Sequence, residues 1–172
     1  CHFDSPILMT GAEARTVSLA GSHFPALMAG GVVLSGALLM SGAVVGGWSV
    51  PKSGVMALQL DGARISSLVR LDEGFSATGM VSMLGTRIRY QLSCRKGRFS
   101  NDGAKVRAIN ADGLDVGGEV FLDDGFVANG GVWLRGARIG RQLSCSGGEF
   151  NATHDDALNF DGAVVGGDVF LT

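Results

Sequence analysis

Residues 7–44 read ILMTGAEARTVSLAGSHFPALMAGGVVLSGALLMSGAV. Counting in fives from Met9 gives Met9, Ala14, Leu19, Phe24, Ala29, Leu34, Leu39 and Val44, and every one is apolar. The residue two before each (Ile7, Ala12, Val17, Ser22, Leu27, Val32, Ala37 and Gly42) is small or apolar. A period of five is neither the 3.6 of a helix nor the 2 of an ordinary strand. It fits a backbone that turns a corner every five residues and points two side chains inward on each side. Four such sides close a square coil, and stacked coils bury one continuous column.

The rest of the chain repeats itself in a looser form. Leu71-Asp-Glu-Gly-Phe75 matches Leu122-Asp-Asp-Gly-Phe126, and Gln91-Leu-Ser-Cys94 matches Gln142-Leu-Ser-Cys145, both at an offset of 51 residues. Asp61-Gly62, Asp112-Gly113 and Asp161-Gly162 open a third set of related segments. Repeats at a fixed period mean stacked units. The inward positions predicted for a first face end at Ala14, Leu34, Leu60, Met83, Ala111, Leu134 and Phe160. A second face carries Ala37/Leu39, Ala63/Ile65, Thr86/Ile88, Leu114/Val116, Ala137/Ile139 and Ala163/Val165. A third carries Val69/Leu71, Leu92/Cys94, Val120/Leu122, Leu143/Cys145 and Val169/Leu171. Phe75, Phe99, Phe126 and Phe150 mark a fourth. Asp-Gly pairs, together with Gly117-Gly118 and Gly166-Gly167, are expected to supply positive φ at corners. The predicted fold is therefore all-β: a right-handed parallel β-helix, a quadrilateral solenoid of about seven coils of 20–28 residues. Residues 1–172 form one domain, with insertions confined to corners after faces two and four.

Composition agrees. The chain has 28 glycines among 172 residues and only three prolines, which suits many tight corners whose backbone N–H groups are still needed for ladders. No Gly-X-Y period is present, which excludes collagen. The net charge of −2 gives no electrostatic reason to expect a nucleic-acid partner. Three cysteines without metal spacing do not make a disulfide framework. The chain opens at Cys1 and stops in mid-pattern at Thr172, so a longer parent solenoid is expected, and no signal-peptide pattern is visible. Leu27–Trp48 is long and apolar enough to suggest a membrane helix. Its glycines and its unbroken five-residue register argue for coils instead.

The Ile7–Val44 pattern resembles the pentapeptide-repeat family of right-handed quadrilateral β-helices. The later coils, with Gly-Ala-Arg-Ile-Gly at 136–140 and Gly-Gly-Asp-Val-Phe-Leu at 166–171, resemble long bacterial β-helix proteins of unassigned function, some of which carry the label membrane-associated oxidoreductase. These motifs specify coil geometry; the resemblance implies no cofactor and no catalytic residue. Some pentapeptide-repeat proteins mimic DNA and bind topoisomerase, which needs a consistently acidic surface.

Candidate chemistry reads mostly as structure. Cys94 and Cys145 occupy the same inward position two coils apart, about 10 Å along the axis, beyond disulfide reach. His23 points outward, and His154 with Asp155 and Asp156 lies in a corner loop that suits solvent better than a metal. Asp72-Glu73 and Asp123-Asp124 sit on one edge, where aspartate favours turns; carbohydrate-cleaving β-helices instead converge carboxylates in a groove. Arg64, Arg87 and Arg138 project from the second face, with Asp115 placed to pair with the last two. Gly46-Gly47 and Gly117-Gly118 open no helix and make no phosphate loop.

One surface stands out. Val33, Leu38, Met40 and Trp48 are expected to face solvent as an apolar strip, a feature that marks contact with another chain or a membrane. The expected function is a non-enzymatic solenoid scaffold or interaction module, with protein partners or self-association, lateral or end-to-end. Nucleic acid is not expected, nor is a membrane span, although membrane contact is compatible with the strip; a cytoplasmic location is favoured. No catalytic residue, cofactor or metal ligand is expected. The rivals are an enzyme, polysaccharide-directed or tied to the oxidoreductase label, and a DNA mimic.

Overall fold

The computed structural model describes residues 1–51, 54–101, 107–153 and 156–172. His154 and Asp155 lie outside them. The described chain is a right-handed parallel β-helix with four sheets, one for each side of a square coil. Face one stacks Ile7–Leu8, Leu27–Met28, Gly54–Gln59, Met80–Ser82, Arg107–Asn110, Gly131–Trp133 and Leu158–Asn159. Face two runs from Glu13–Ala14 to Val164–Val165, face three from Val17–Ser18 to Val169–Phe170, and face four from His23–Phe24 to Glu149–Asn151.

Each coil hands its backbone donors to the next. On face one Leu60 N donates to Ser82 O (2.8 Å), Met83 N to Asn110 O (2.8 Å), Ala111 N to Trp133 O (2.8 Å) and Leu134 N to Asn159 O (2.7 Å). No coil can form these bonds alone, so ordering is shared between neighbours. Within the square, Leu58, Leu60, Ile65, Val69, Leu71 and Phe75 are buried in one coil, and equivalent residues follow above and below. Fully burying a leucine or phenylalanine side chain contributes about 1.5–3 kcal/mol, so the column stabilises every coil along its length.

Residues 27–48 are part of this column. They form Leu27–Met28, Val33–Leu34, Leu38–Leu39 and Val44–Val45, each a short strand on a successive face. Among the described residues no helix is long and apolar enough to cross a membrane.

The structure differs from the expected coil in three respects, two of register and one of corner chemistry. First, Val33 and Leu34 pair with Arg64 and Ile65, while Leu27 and Met28 pair with Leu58 and Gln59. Leu34 therefore belongs to face two, and it is Ala29 that falls in line with Leu60 on face one. The displacement comes from an antiparallel arm between faces four and one, in which Trp48–Val50 pairs with the start of Gly54–Gln59. The step from Val33 to Arg64 is consequently 31 residues.

Second, Val17 pairs with Leu38, a step of 21. One extra residue enters the corner at Ser35-Gly36, so Leu38, Met40 and Val45 point inward, while Leu39 is half-buried and Val44 exposed. Glycine fits this corner because a Cβ on Gly36 would lie 2.6 Å from the Arg15 carbonyl oxygen.

Third, the glycines do two different jobs. Gly62, after Asp61, has φ of +67°, as its turn requires. Gly117 and Gly118 have no positive φ; they are small because a Cβ would lie 2.2 Å from Arg89 O and 2.0 Å from Tyr90 O in the coil before. At that corner, backbone proximity rather than turn conformation selects glycine.

Candidate interaction surface

The four residues expected to form an apolar strip do not share a surface. Leu38 (1% exposed) and Met40 (0%) are core residues, placed inside by the extra corner residue at Ser35-Gly36. Val33 is half-buried on the outside of face two, and Trp48 (46% exposed) stands on the arm beside face one.

An apolar surface does exist, centred on Trp48. The outward ladder of face one begins Leu8, Met28, Gln59, because Leu8 pairs with Met28 and Met28 with Gln59. Leu8 is 75% exposed. Trp48 and Val50 flank this ladder from the arm, and Ser5 and Pro6 complete an open groove of about 530 Å³. Leu8 and Met28 were legible as outward residues, since they lie between the inward pairs Ile7/Met9 and Leu27/Ala29. Their apolar character was the signal, and the arm that makes them a groove was not predicted.

Beyond Gln59 the same face turns polar. Asp61 Oδ1 accepts from Ser82 Oγ (2.6 Å) and from Leu84 N (3.0 Å), pinning one coil to the next. Asp112 does the same to Arg135, accepting from its N (3.1 Å), Nε (3.1 Å) and Nη2 (2.6 Å). Burial opposes ionisation of Asp112, but the Arg135 hydrogen bonds and charge outweigh it and hold the carboxyl below its usual range. The guanidinium carbons of Arg107 and Arg135 lie 3.5 and 4.2 Å from the centre of the Trp133 ring.

The acidic corners are also used between coils. Asp72 is buried and accepts from Ser41 Oγ. Asp123 accepts from Arg95 Nε at 2.9 Å, while that guanidinium covers the Phe121 ring at 3.8 Å. One step outward, Lys96 Nζ lies 3.5 Å from Glu73 and 3.6 Å from Asp124. The nearby Glu73 carboxylate, with Asp124, raises the pKa of this ammonium. Arg95 and Lys96 thus lie between the two acidic corners, and the carboxylates of Glu73, Asp123 and Asp124 are paired with these cations along the edge.

On face two the register sets Asp115 between Arg87 and Arg138, as expected. Among the described residues, however, no ion pair within 4.0 Å joins Asp115 to either arginine. Cys94 and Cys145 are buried free thiols on face three, one strand apart from each other's neighbour Leu122. Burial pushes the Cys145 thiol up to about 12, helped by the Asp123 charge, and burial raises Cys94 further. Among the described residues no three histidine, cysteine or acidic side chains are gathered around a common metal position.

No protein-family model, curated protein or solved structure matches the chain.

Proposed function

We propose that the chain is a non-enzymatic β-solenoid scaffold that joins a second copy of itself laterally through the apolar groove on face one. The observation carrying this reading is the cluster of Leu8, Met28, Trp48 and Val50 on one side of the square, with Leu8 and Trp48 strongly exposed. Most apolar residues of a coil are hidden by the column, so a group left outside needs a covering surface. A two-fold contact pairs the same patch on both partners, and a groove flanked by a projecting tryptophan offers both knob and slot. The carboxylates that an enzyme reading would recruit are engaged as pins between coils, which supports a structural role for them. The coil geometry supports a pentapeptide-repeat-like bacterial solenoid, with longer, less regular coils after residue 48.

The test is sedimentation of the intact chain and its Leu8→Glu and Trp48→Glu variants. The reading expects a reversible dimer for the parent chain and monomers for both variants, with unchanged circular dichroism. Binding of the parent chain to neutral lipid vesicles in place of dimerisation would overturn it in favour of membrane contact.

A further inference from the structure

His2, in an isolated parallel bridge at the edge of face four, lies beside His23, and both residues are exposed. Their ring centroids lie 6.5 Å apart at an interplanar angle of 42°. The backbone holds the pair from both sides: His23 N donates to Cys1 O (2.8 Å) and Phe3 N donates to His23 O (2.9 Å). Phe3 packs edge-on against Phe24 at 6.4 Å. Together with Asp4, Pro25, Val44 and Gly46, the two imidazoles line an open hollow of about 440 Å³.

Asp4 supplies the second observation. Its Oδ1 lies 3.0 Å from His2 Nε2. A carboxylate there accepts the Nε2 proton, fixes the ring's tautomer and leaves the Nδ1 lone pair free. That is the outer partner that a metal-binding histidine ordinarily has. Two imidazole nitrogens bound to one ion at about 2.1 Å stand about 3.4 Å apart in tetrahedral geometry. The ring centroids, 6.5 Å apart, are about 1 Å wider than those of two imidazoles on one tetrahedral ion, so binding requires the exposed His2 and His23 side chains to turn toward each other.

We propose that His2 and His23 form a two-imidazole site for a divalent transition ion of the zinc class, with Asp4 as the positioning residue behind His2. Imidazole donors favour zinc, nickel and copper, whereas calcium and magnesium require mainly oxygen ligands. With two protein ligands, water fills the remaining positions, so the site is open and exchangeable.

The experiment is isothermal titration of the intact chain with zinc chloride in metal-free buffer, alongside calcium chloride, with nitrogen-correlated spectra of the imidazoles. One zinc per chain is expected, with shifts confined to His2 and His23. His2→Ala and His23→Ala should each weaken binding at least tenfold, and Asp4→Ala about tenfold, with Asp4→Asn recovering part of that loss. Cys1→Ser and His154→Ala should bind as the parent does. Equal zinc binding by the His2→Ala/His23→Ala double variant, abolition by Cys1→Ser alone, or equally tight calcium binding would overturn the site. Dimerisation through Leu8 and Trp48 is read separately by sedimentation, so neither result decides the other.

Discussion

Phe99 stacks on Phe75 at 5.3 Å between ring centroids, although the backbone pairs Phe99 with Ala77, two residues further on. The next coil repeats the arrangement in reverse: Phe126 stacks on Phe99 at 5.3 Å, while Ala128 is the backbone partner of Phe99. The column is continuous because alternate coils supply the ring from alternate inward positions. At Phe99 and Phe150, where the ring comes from the second position, the first is glycine; a Cβ on Gly97 would lie 2.8 Å from Phe99 Cε2, and one on Gly148 2.9 Å from Phe150 Cε2. This size exchange is the physical content of the 51-residue repeat, which spans two coils. Truncating Phe99 to alanine should therefore cost about 3–5 kcal/mol in urea unfolding. Gly97→Ala should destabilise as well, despite adding only one methyl group.

Leu38 and Leu8 should respond oppositely to the same charge. Glutamate at Leu38 places a carboxylate in the column, where an unpaired charge is strongly disfavoured, and should abolish the cooperative thermal transition. Glutamate at Leu8 points out of the column and, at protein concentrations low enough for the parent to be monomeric, should leave the melting temperature within a few degrees of the parent's, since surface changes are worth about 0.5 kcal/mol or less. Paired melting curves check the contrast; equal destabilisation would place Leu38 outside the column.

The two buried thiols should make the fold alkali-sensitive. Their folded pKa values lie above the usual thiol value of about 8.5, with Cys145 near 12. The stabilisation from keeping them neutral is complete below about pH 8.5 and is lost as pH rises from there toward 12, by up to about 1.4 kcal/mol per pH unit for each thiol. Denaturant midpoints of the parent and a Cys94→Ala/Cys145→Ala variant should therefore converge as pH rises. A thiol reagent at pH 8 should label Cys1 and spare the other two.

The Asp112–Arg135 pin should show the opposite pH sign. Because the folded carboxyl sits below its usual value, its contribution is present above about pH 4 and is lost as pH falls through the lower folded value. The pair is partly exposed, so about 1 kcal/mol or less is at stake. The pH-dependent part of the stability difference between the parent and Arg135→Met should vanish in acid, as read from urea titrations between pH 7 and 2.5.

The pentads in residues 7–34 and the later pairs such as Ala63/Ile65 and Leu92/Cys94 read directly as coil geometry, because only one register there is apolar. The stretch Gly36-Ala-Leu-Leu-Met40 is apolar in two adjacent registers, so counting alone could not detect one added corner residue, and a slip of one exchanges inside for outside. That single residue moved Leu38 and Met40 from the expected surface into the core. The arm was hidden for another reason: Trp48–Val50 and Gly54–Gln59 pair antiparallel, a local departure that a repeat count reads merely as added length. Of the proposed contact surface, Trp48 was singled out from the sequence, whereas Leu8 and Met28 became a groove only once the arm was placed beside them.

The most direct test of the scaffold reading is sedimentation equilibrium of the intact chain up to about 100 μM, a range that captures contacts with micromolar dissociation constants, with Leu8→Glu run in parallel. The predicted result is a monomer–dimer equilibrium for the parent chain and a monomer for Leu8→Glu. A parent chain that stays monomeric throughout, or a dimer that Leu8→Glu leaves intact, would contradict it.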